Sequence, residues 1–211
     1  MISHIKACEL AAAIYNPITP NTFTQVIDTD DITCGVAVIG DDTVFSFAGS
    51  ENAEDWVRDF FAVQCCHPQL GTLHAGFWAG MGDAWVPLSA IARKAKKIVI
   101  VCHSLGCAHG AIFAGLCAKN GIAVDQLVMF APPRVSYRTL RDIVHGWVKE
   151  VTGYRNGRDP VPMVPATIPI IEACVDWVDQ IIDEPPSDKN NLFEYHELAL
   201  YLRGMRKKFA A

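Results

Sequence analysis

The sequence has no apolar run long enough to cross a membrane as a helix and no convincing export signal. Its one N-terminal apolar stretch, residues 8–15, is broken by Glu9, has the lone Lys6 ahead of it and meets Pro17 soon after. Ile5, Cys8, Ala12 and Tyr15 recur at helical spacing, so the stretch is expected to be an amphipathic first helix of a cytoplasmic protein. Charge is scarce too. Only 19% of residues are charged and the formal net charge is −5, which leaves no basic surface to neutralise a phosphate backbone, and no nucleic-acid partner is expected. The small basic cluster Arg203, Arg206, Lys207 and Lys208 reads as a solvated helix end that complements the helix dipole.

Metal-ligand spacing is missing as well. Cys65, Cys66 and His67 are adjacent, but no Cys-x-x-Cys or His-x-x-x-His partner stands elsewhere, so a structural loop and no metal are expected there. Of the eight cysteines, Cys8, Cys34, Cys102, Cys107, Cys117 and Cys174 lie within apolar segments, where a thiol acts as a small hydrophobe. There is no internal repeat, low-complexity stretch or Gly/Ser linker. At 51% hydrophobic, the chain is long enough for one packed domain and too short for two ordinary ones, so residues 1–211 are expected to form a single domain.

What is present is an alternation of strands and helices. Residues 24–27, 35–39 and 43–48 are rich in β-branched and aromatic residues, and Gly40-Asp41-Asp42 separates the last two as a tight hairpin turn does. Residues 77–97 read as a helix bent at Pro87, leading into the wholly apolar run 98–101, which fits a strand buried on both faces. Residues 105–119 read as a buried helix ended by Asn120-Gly121, 127–130 as a strand, 139–147 as a crossover and 148–154 as another strand. The pattern predicts an α/β fold: a mostly parallel central sheet with an antiparallel N-terminal hairpin and helices on both faces. In such a sheet reactive groups gather at the carboxyl ends of the parallel strands. Three polar sequences stand there: Cys102-His103-Ser104-Leu105-Gly106, Asn156-Gly157-Arg158-Asp159-Pro160 and Tyr195-His196-Glu197.

Ser104 follows an apolar strand directly and precedes a helix, the context of a nucleophile elbow of the G-x-S-x-G kind. The sharp turn requires small residues two before and two after the serine; Gly106 meets this and Cys102 replaces the first glycine. The competing reading is a serine that only caps the following helix. A serine nucleophile needs a histidine base and a carboxylate to orient it. In folds built on this elbow the chain order is serine, acid, histidine, which leaves His145 and His196. His145 lies within the predicted crossover helix, whereas His196 follows a loop at the head of the last helix and comes well after Asp159. Asp159 follows a strand and the turn-forming Asn156-Gly157, with Pro160, Pro162 and Pro165 stiffening what comes next. Asp176, Asp179 and Asp183 are the alternative acids, on a stretch whose apolar spacing predicts a helix with a solvated face.

Several motifs taken together resemble a known family. They are Phe47-Ala48-Gly49-Ser50 with Asp55-Trp56, Leu73-His74-Ala75-Gly76-Phe77, Cys102 to Gly106, Phe130-Ala131-Pro132-Pro133-Arg134-Val135, Asn156 to Pro162, and Tyr195-His196. In content and order they are similar to the class 3 lipases, the fungal triacylglycerol lipase-like branch of the α/β-hydrolases. The resemblance implies a single α/β-hydrolase domain with a triad of Ser104, Asp159 and His196, and an oxyanion hole formed by Ser50 and the backbone N–H of Leu105. It implies hydrolysis of a lipid, a phospholipid acyl chain or a smaller ester through an acyl-enzyme, with no metal and no organic cofactor, and transient contact with a membrane or lipid interface. An inactive relative that binds acyl ligands or a protein partner, and an acyltransferase using the same residues, are the alternatives. Cys102 stands where these lipases have glycine, Ala48 where they usually have arginine, and Cys107 where a second glycine commonly follows. His74 and His103 belong to the motifs without a chemical step, and burial with backbone hydrogen bonds is expected of both. The resemblance also makes residues 51–61 a lid over the site, with Trp56 and Phe60 on its apolar face; the same stripe could equally be core.

Overall fold

The computed structural model describes residues 1–16, 22–50, 64–164 and 175–209. The chain opens with helix α1 (His4–Ala13), capped by Ser3, and then forms three antiparallel strands, β1 (Gln25–Asp28), β2 (Thr33–Ile39) and β3 (Asp42–Phe47). Ile39 pairs with Asp42, so Gly40 and Asp41 alone make the hairpin turn, and Gly40 takes the positive φ of 60° that such a turn demands. The three strands stand close to the expected segments 24–27, 35–39 and 43–48, and they pair antiparallel.

A small separate hairpin follows, β4 (Gln64–His67) and β5 (Gly71–His74), and leads into α2 (Ala75–Trp78) and α3 (Met81–Ala92). Two expectations need correction here. Cys65, Cys66 and His67 lie in a strand rather than a loop, in a hairpin closed by the His67 ring, whose Nδ1 accepts the Gln69 and Leu70 N–H groups at 3.2 Å. The single helix bent at Pro87 is two helices, broken at Gly80 with φ 71°, because glycine enters the left-handed region freely while Pro87 sits inside α3.

From β6 (Lys97–His103) onward the sheet is parallel. Helix α4 (Leu105–Lys119) crosses to β7 (Gln126–Phe130), and α5 (Arg138–Trp147) crosses to β8 (Glu150–Asn156). A short edge strand, β9 (Gln180–Ile182), and helix α6 (Leu198–Phe209) complete an order of β1-β2-β3-β6-β7-β8-β9. The apolar run of β6 explains itself by alternation: Ile98, Ile100 and Cys102 enter one core with α3, α4 and α5, while Val99 and Val101 enter a second with α1 and α6. Asp176, Asp179 and Asp183 are on no helix. Burial alternates from Ile181 to Pro186 as in an extended chain, with Ile182 and Glu184 in and Ile181 and Asp183 out, so an edge strand takes precedence over the helical spacing.

Candidate active site

Ser104 joins β6 to α4 at φ 57° and ψ −131°, a backbone conformation that is costly for any residue with a side chain. Two bonds hold it there: its N–H donates to the Phe130 carbonyl at 3.0 Å, and its own carbonyl accepts the Cys107 N–H at 2.9 Å. The hydroxyl makes no helix-capping bond, which removes the reading of Ser104 as a simple cap. It lies instead 2.9 Å from His196 Nε2.

The elbow is squeezed on every side. A Cβ at Gly106 would lie 2.3 Å from the Phe47 carbonyl oxygen and 2.7 Å from that of Ala48, so helix and strand meet backbone to backbone. The thiol at Cys102 is accommodated by Gly110, where a Cβ would come within 3.0 Å of its Sγ. Cys107 donates to the Phe130 carbonyl at 3.2 Å, the same oxygen that accepts from Ser104. Both cysteines that stand where the lipases have glycine are thus fully buried and built into the turn.

His196 ends a 3-10 turn (Leu192–His196) just ahead of α6, and its Nδ1 lies 2.9 and 3.1 Å from the two carboxylate oxygens of Asp159. A carboxylate only accepts, so Nδ1 carries the proton and Nε2 is the bare nitrogen facing Ser104. Asp159 has no exposed surface and follows β8 in a turn closed by its N–H on the Asn156 carbonyl. Its Oδ1 accepts the Val161 N–H at 2.9 Å and its Oδ2 accepts the Tyr201 hydroxyl at 2.7 Å. Burial and the adjacent Asp159 push the Tyr201 phenol well above its ordinary pKa, so it stays a donor.

Asn156 braces this side. Its Nδ2 donates to the Glu184 and Tyr195 carbonyls at 3.0 and 3.1 Å, its Oδ1 accepts the Glu184 N–H at 2.9 Å, and its own N–H donates to Tyr201 Oη at 2.9 Å. In the sequence Asn156 reads as a turn former and Tyr201 as one more apolar residue of the last helix. Neither signals its use.

Of the residues expected at an oxyanion hole, Leu105 is the first residue of α4, so its N–H has no intrahelical acceptor. Ser50 follows Gly49, which lies so close to the elbow that a Cβ on it would be 2.9 Å from Ser104 Cβ. Trp56, Phe60 and the rest of residues 51–61 lie outside the described residues. The alternative acids lie elsewhere: Asp176 accepts the Val178 N–H, Asp179 accepts the Gly153 N–H, and Asp183 is exposed. His74 is buried and accepts the Gly76 N–H at 3.2 Å, and His103 bonds the His196 carbonyl at 3.0 Å.

Among the described residues no group of three His, Cys, Asp or Glu side chains is arranged to hold a metal, and no helix is long and apolar enough to cross a membrane. Cys8, Cys34, Cys65, Cys66, Cys102, Cys107 and Cys117 are free thiols; Cys174 lies outside the described residues.

No functionally curated protein sequence gives a significant match. The fold is similar to solved lipases. The mono- and diacylglycerol lipase from Aspergillus oryzae superposes with a TM-score of 0.70 at 21% identity, over 89% of this chain and 82% of that one. The Rhizomucor miehei triacylglyceride lipase gives 0.66 at 20% identity over 78% and 73%. A triacylglycerol lipase described as having a serine protease triad at its catalytic centre gives 0.65 at 19% identity over 77% and 74%. The family model described as Lipase (class 3) matches residues 44–168, from β3 through the elbow and past Asp159; this span is more than half of the chain, which therefore belongs to the class 3 lipases and is a serine ester hydrolase.

Proposed function

We propose that Ser104 is the nucleophile, His196 the general base and Asp159 the group that orients it, in the hydrolysis of carboxylic esters of lipids. One observation carries this reading: a buried line of hydrogen bonds from Tyr201 through Asp159 and His196 to Ser104, with steps of 2.7, 2.9 and 2.9 Å. The Ser104 oxygen attacks the ester carbonyl while its proton passes to His196 Nε2. The carbonyl oxygen, now negative, is met by the N–H groups of Ser50 and Leu105. Collapse expels the alcohol, which takes the proton from His196, and leaves an acyl-enzyme. Water, deprotonated by the same nitrogen, then releases the acid and restores Ser104. Transfer of the acyl group to another alcohol needs only that the alcohol replace this water.

The substrate class proposed is a lipid ester, including phospholipid acyl chains of the phospholipase A type. The described helices and the β4–β5 hairpin share their buried cores with the seven-stranded sheet, which supports reading residues 1–211 as one domain, and the buried free thiols support a reducing, cytoplasmic compartment.

The test is Ser104→Ala beside labelling of the native protein with a fluorophosphonate. Turnover should fall by about 10⁶-fold, since loss of a serine nucleophile costs on that order, while the circular dichroism and melting temperature stay near native. Retained turnover in the variant, or a native protein that is not labelled, sinks the assignment. A panel of triacyl, diacyl, phospholipid and short-chain esters then fixes the substrate, and loss of activity on every phospholipid removes the phospholipase reading.

A further inference from the structure

The histidine immediately before the nucleophile takes no chemical step, yet both of its nitrogens are engaged. His103 Nε2 lies 3.0 Å from the backbone carbonyl oxygen of His196, and Nδ1 lies 2.8 Å from Tyr15 Oη. A carbonyl only accepts, so Nε2 carries the proton, Nδ1 is bare, and the Tyr15 hydroxyl donates to it. The phenolic oxygen in turn accepts the Gly49 N–H at 3.0 Å. The donors therefore run one way: Gly49 N–H to Tyr15, Tyr15 O–H to His103, His103 N–H to the His196 carbonyl. Burial and the nearby His196 ring, 4.5 Å away between centroids, hold His103 neutral, which this order requires.

We infer that Tyr15 and His103 are positioning residues for ester hydrolysis, a strut that keeps the Ser50 N–H and the His196 imidazole in register with each other. The inference rests on the roles proposed above for Ser50 and His196. Gly49 stands directly before Ser50 and touches the strut and the nucleophile at once: a Cβ there would lie 2.5 Å from Tyr15 Oη, 2.7 Å from the His103 carbonyl oxygen and 2.9 Å from Ser104 Cβ. Tyr15 comes from beyond the end of α1 and His196 from ahead of α6, so the strut ties the two ends of the chain across the elbow. Without the hydroxyl, Gly49 loses its acceptor and His103 its donor, and the oxyanion loop and the base are free to shift independently. Because an oxyanion donor acts on charge that develops only in the transition state, the effect falls on kcat rather than on KM.

Two variants test this. Tyr15→Phe keeps the ring and removes one oxygen; His103→Gln keeps an N–H for the His196 carbonyl but leaves no acceptor at the Nδ1 position that faces Tyr15, since its remaining acceptor, the amide oxygen, lies elsewhere. Rates are taken per active site titrated with a fluorophosphonate, so that misfolded protein does not count. For Tyr15→Phe, kcat should fall about 10- to 100-fold with KM within about threefold of native, the range expected when one oxyanion donor is misplaced. An alkylboronic acid, whose tetrahedral serine adduct sets an oxygen in the oxyanion position, should bind more weakly by the same factor as kcat/KM falls. His103→Gln should fall similarly, and the double variant by little more than the larger single change, as two members of one unit do. If kcat per titrated site and the boronate inhibition constant both stay within about twofold of native, the inference is overturned, whatever happens to the melting temperature, since stability alone is a structural role. Should Tyr15→Phe fail to fold, His103→Gln is read by the same criteria. A failure of the underlying reading is distinct: Ser104→Ala would keep its turnover and the native protein would not be labelled.

Discussion

On the Ser104 side of the site, position is enforced by lack of space. The Gly106 and Gly49 α-carbons are pressed against backbone carbonyls and Ser104 itself, with no room for one more carbon, and Gly110 sits tight against the Cys102 thiol. On the Asp159 and His196 side, position is enforced by hydrogen bonds: Tyr201 reaches Asp159 across 42 residues, Asn156 reaches the Tyr195 carbonyl across 39, and the neighbouring Val161 N–H adds a local one. The first arrangement is intolerant of added atoms and the second of lost ones. A steric constraint breaks folding first and chemistry as a consequence, whereas a lost hydrogen bond lets the fold stand and misplaces a proton. That difference can be broken or sharpened by four substitutions.

The largest effect belongs to the hydrogen-bonded side. Asp159→Asn keeps the shape but replaces an accept-only carboxylate with an amide that can present a donor to His196 Nδ1, which favours the wrong tautomer. Turnover should fall by about 10⁴-fold, as loss of the orienting carboxylate does in other serine triads, with a melting temperature near native. Asp179→Asn should leave turnover intact; if it does the damage instead, the acid has been misassigned.

Gly106→Ala comes next and should act on folding. Its Cβ meets two backbone oxygens at 2.3 and 2.7 Å, which cannot swing aside as a side chain can. A loss of about 3 kcal/mol, the upper end of ordinary overpacking, is expected in urea unfolding. The surviving folded fraction should label with a fluorophosphonate at a reduced rate. Native stability in this variant would mean that helix and strand are not in contact at the elbow.

The same contrast decides what could be read from sequence. Steric constraints leave small residues at fixed short spacings, so Ser104 and Gly106 mark the elbow, and the unbroken apolar run from Ile98 to Val101 marks the doubly buried strand. Hydrogen bonds that span 42 or 88 residues, such as Tyr201 to Asp159 and Tyr15 to His103, leave no local pattern. Short strands were also missed where side chains carry little β signal: β4 reads Gln-Cys-Cys-His, and β9 has three residues flanked by acids. Gly80 rather than Pro87 breaks the helical stretch because a left-handed residue ends a helix, whereas Pro87 removes only one bond within α3. The candidate site residues Ser104 and Asp159 are legible because the fold class itself predicts that reactive groups gather at strand ends.

The third substitution probes the packed side by its titration. His109, on α4 behind the elbow, is buried, its Nδ1 has no partner among the described residues, and burial lowers its pKa to about 4. Its folded value lies below the unfolded value near 6.5, so between the two the unfolded chain binds more protons. The stability this neutral ring permits is full above about pH 6.5 and is lost as pH falls toward 4. Linkage gives a loss of about 2 kcal/mol between pH 7.5 and pH 5. His109→Leu should flatten that slope in urea unfolding at the two pH values, though not wholly, because buried His103 is shifted in the same direction. An unchanged slope would mean that His109 reaches water.

The smallest effect is expected from Tyr201→Phe, and it tests the comparison most directly. The phenol makes two bonds, accepting the Asn156 N–H and donating to Asp159, and its ring packs edge-on against Phe130 at 6.0 Å between centroids. Phenylalanine keeps the packing and removes both bonds. Asp159 would still be held by the Val161 N–H and by His196, so turnover should fall only about tenfold, or about 1.4 kcal/mol, near the lower end of the about 1.5–3 kcal/mol of one charge-assisted hydrogen bond. Stability should fall by about 1–2 kcal/mol, because the buried Asn156 N–H is left without an acceptor. Turnover per titrated site and urea midpoints measure the two separately. If the variant unfolds like Gly106→Ala while its titrated sites turn over normally, Tyr201 acts as packing and the two sides of the site are held alike. If turnover drops about tenfold while stability falls by no more than about 1–2 kcal/mol, the carboxylate is positioned by that hydroxyl, and the contrast between crowding on one side of Ser104 and hydrogen bonding on the other stands.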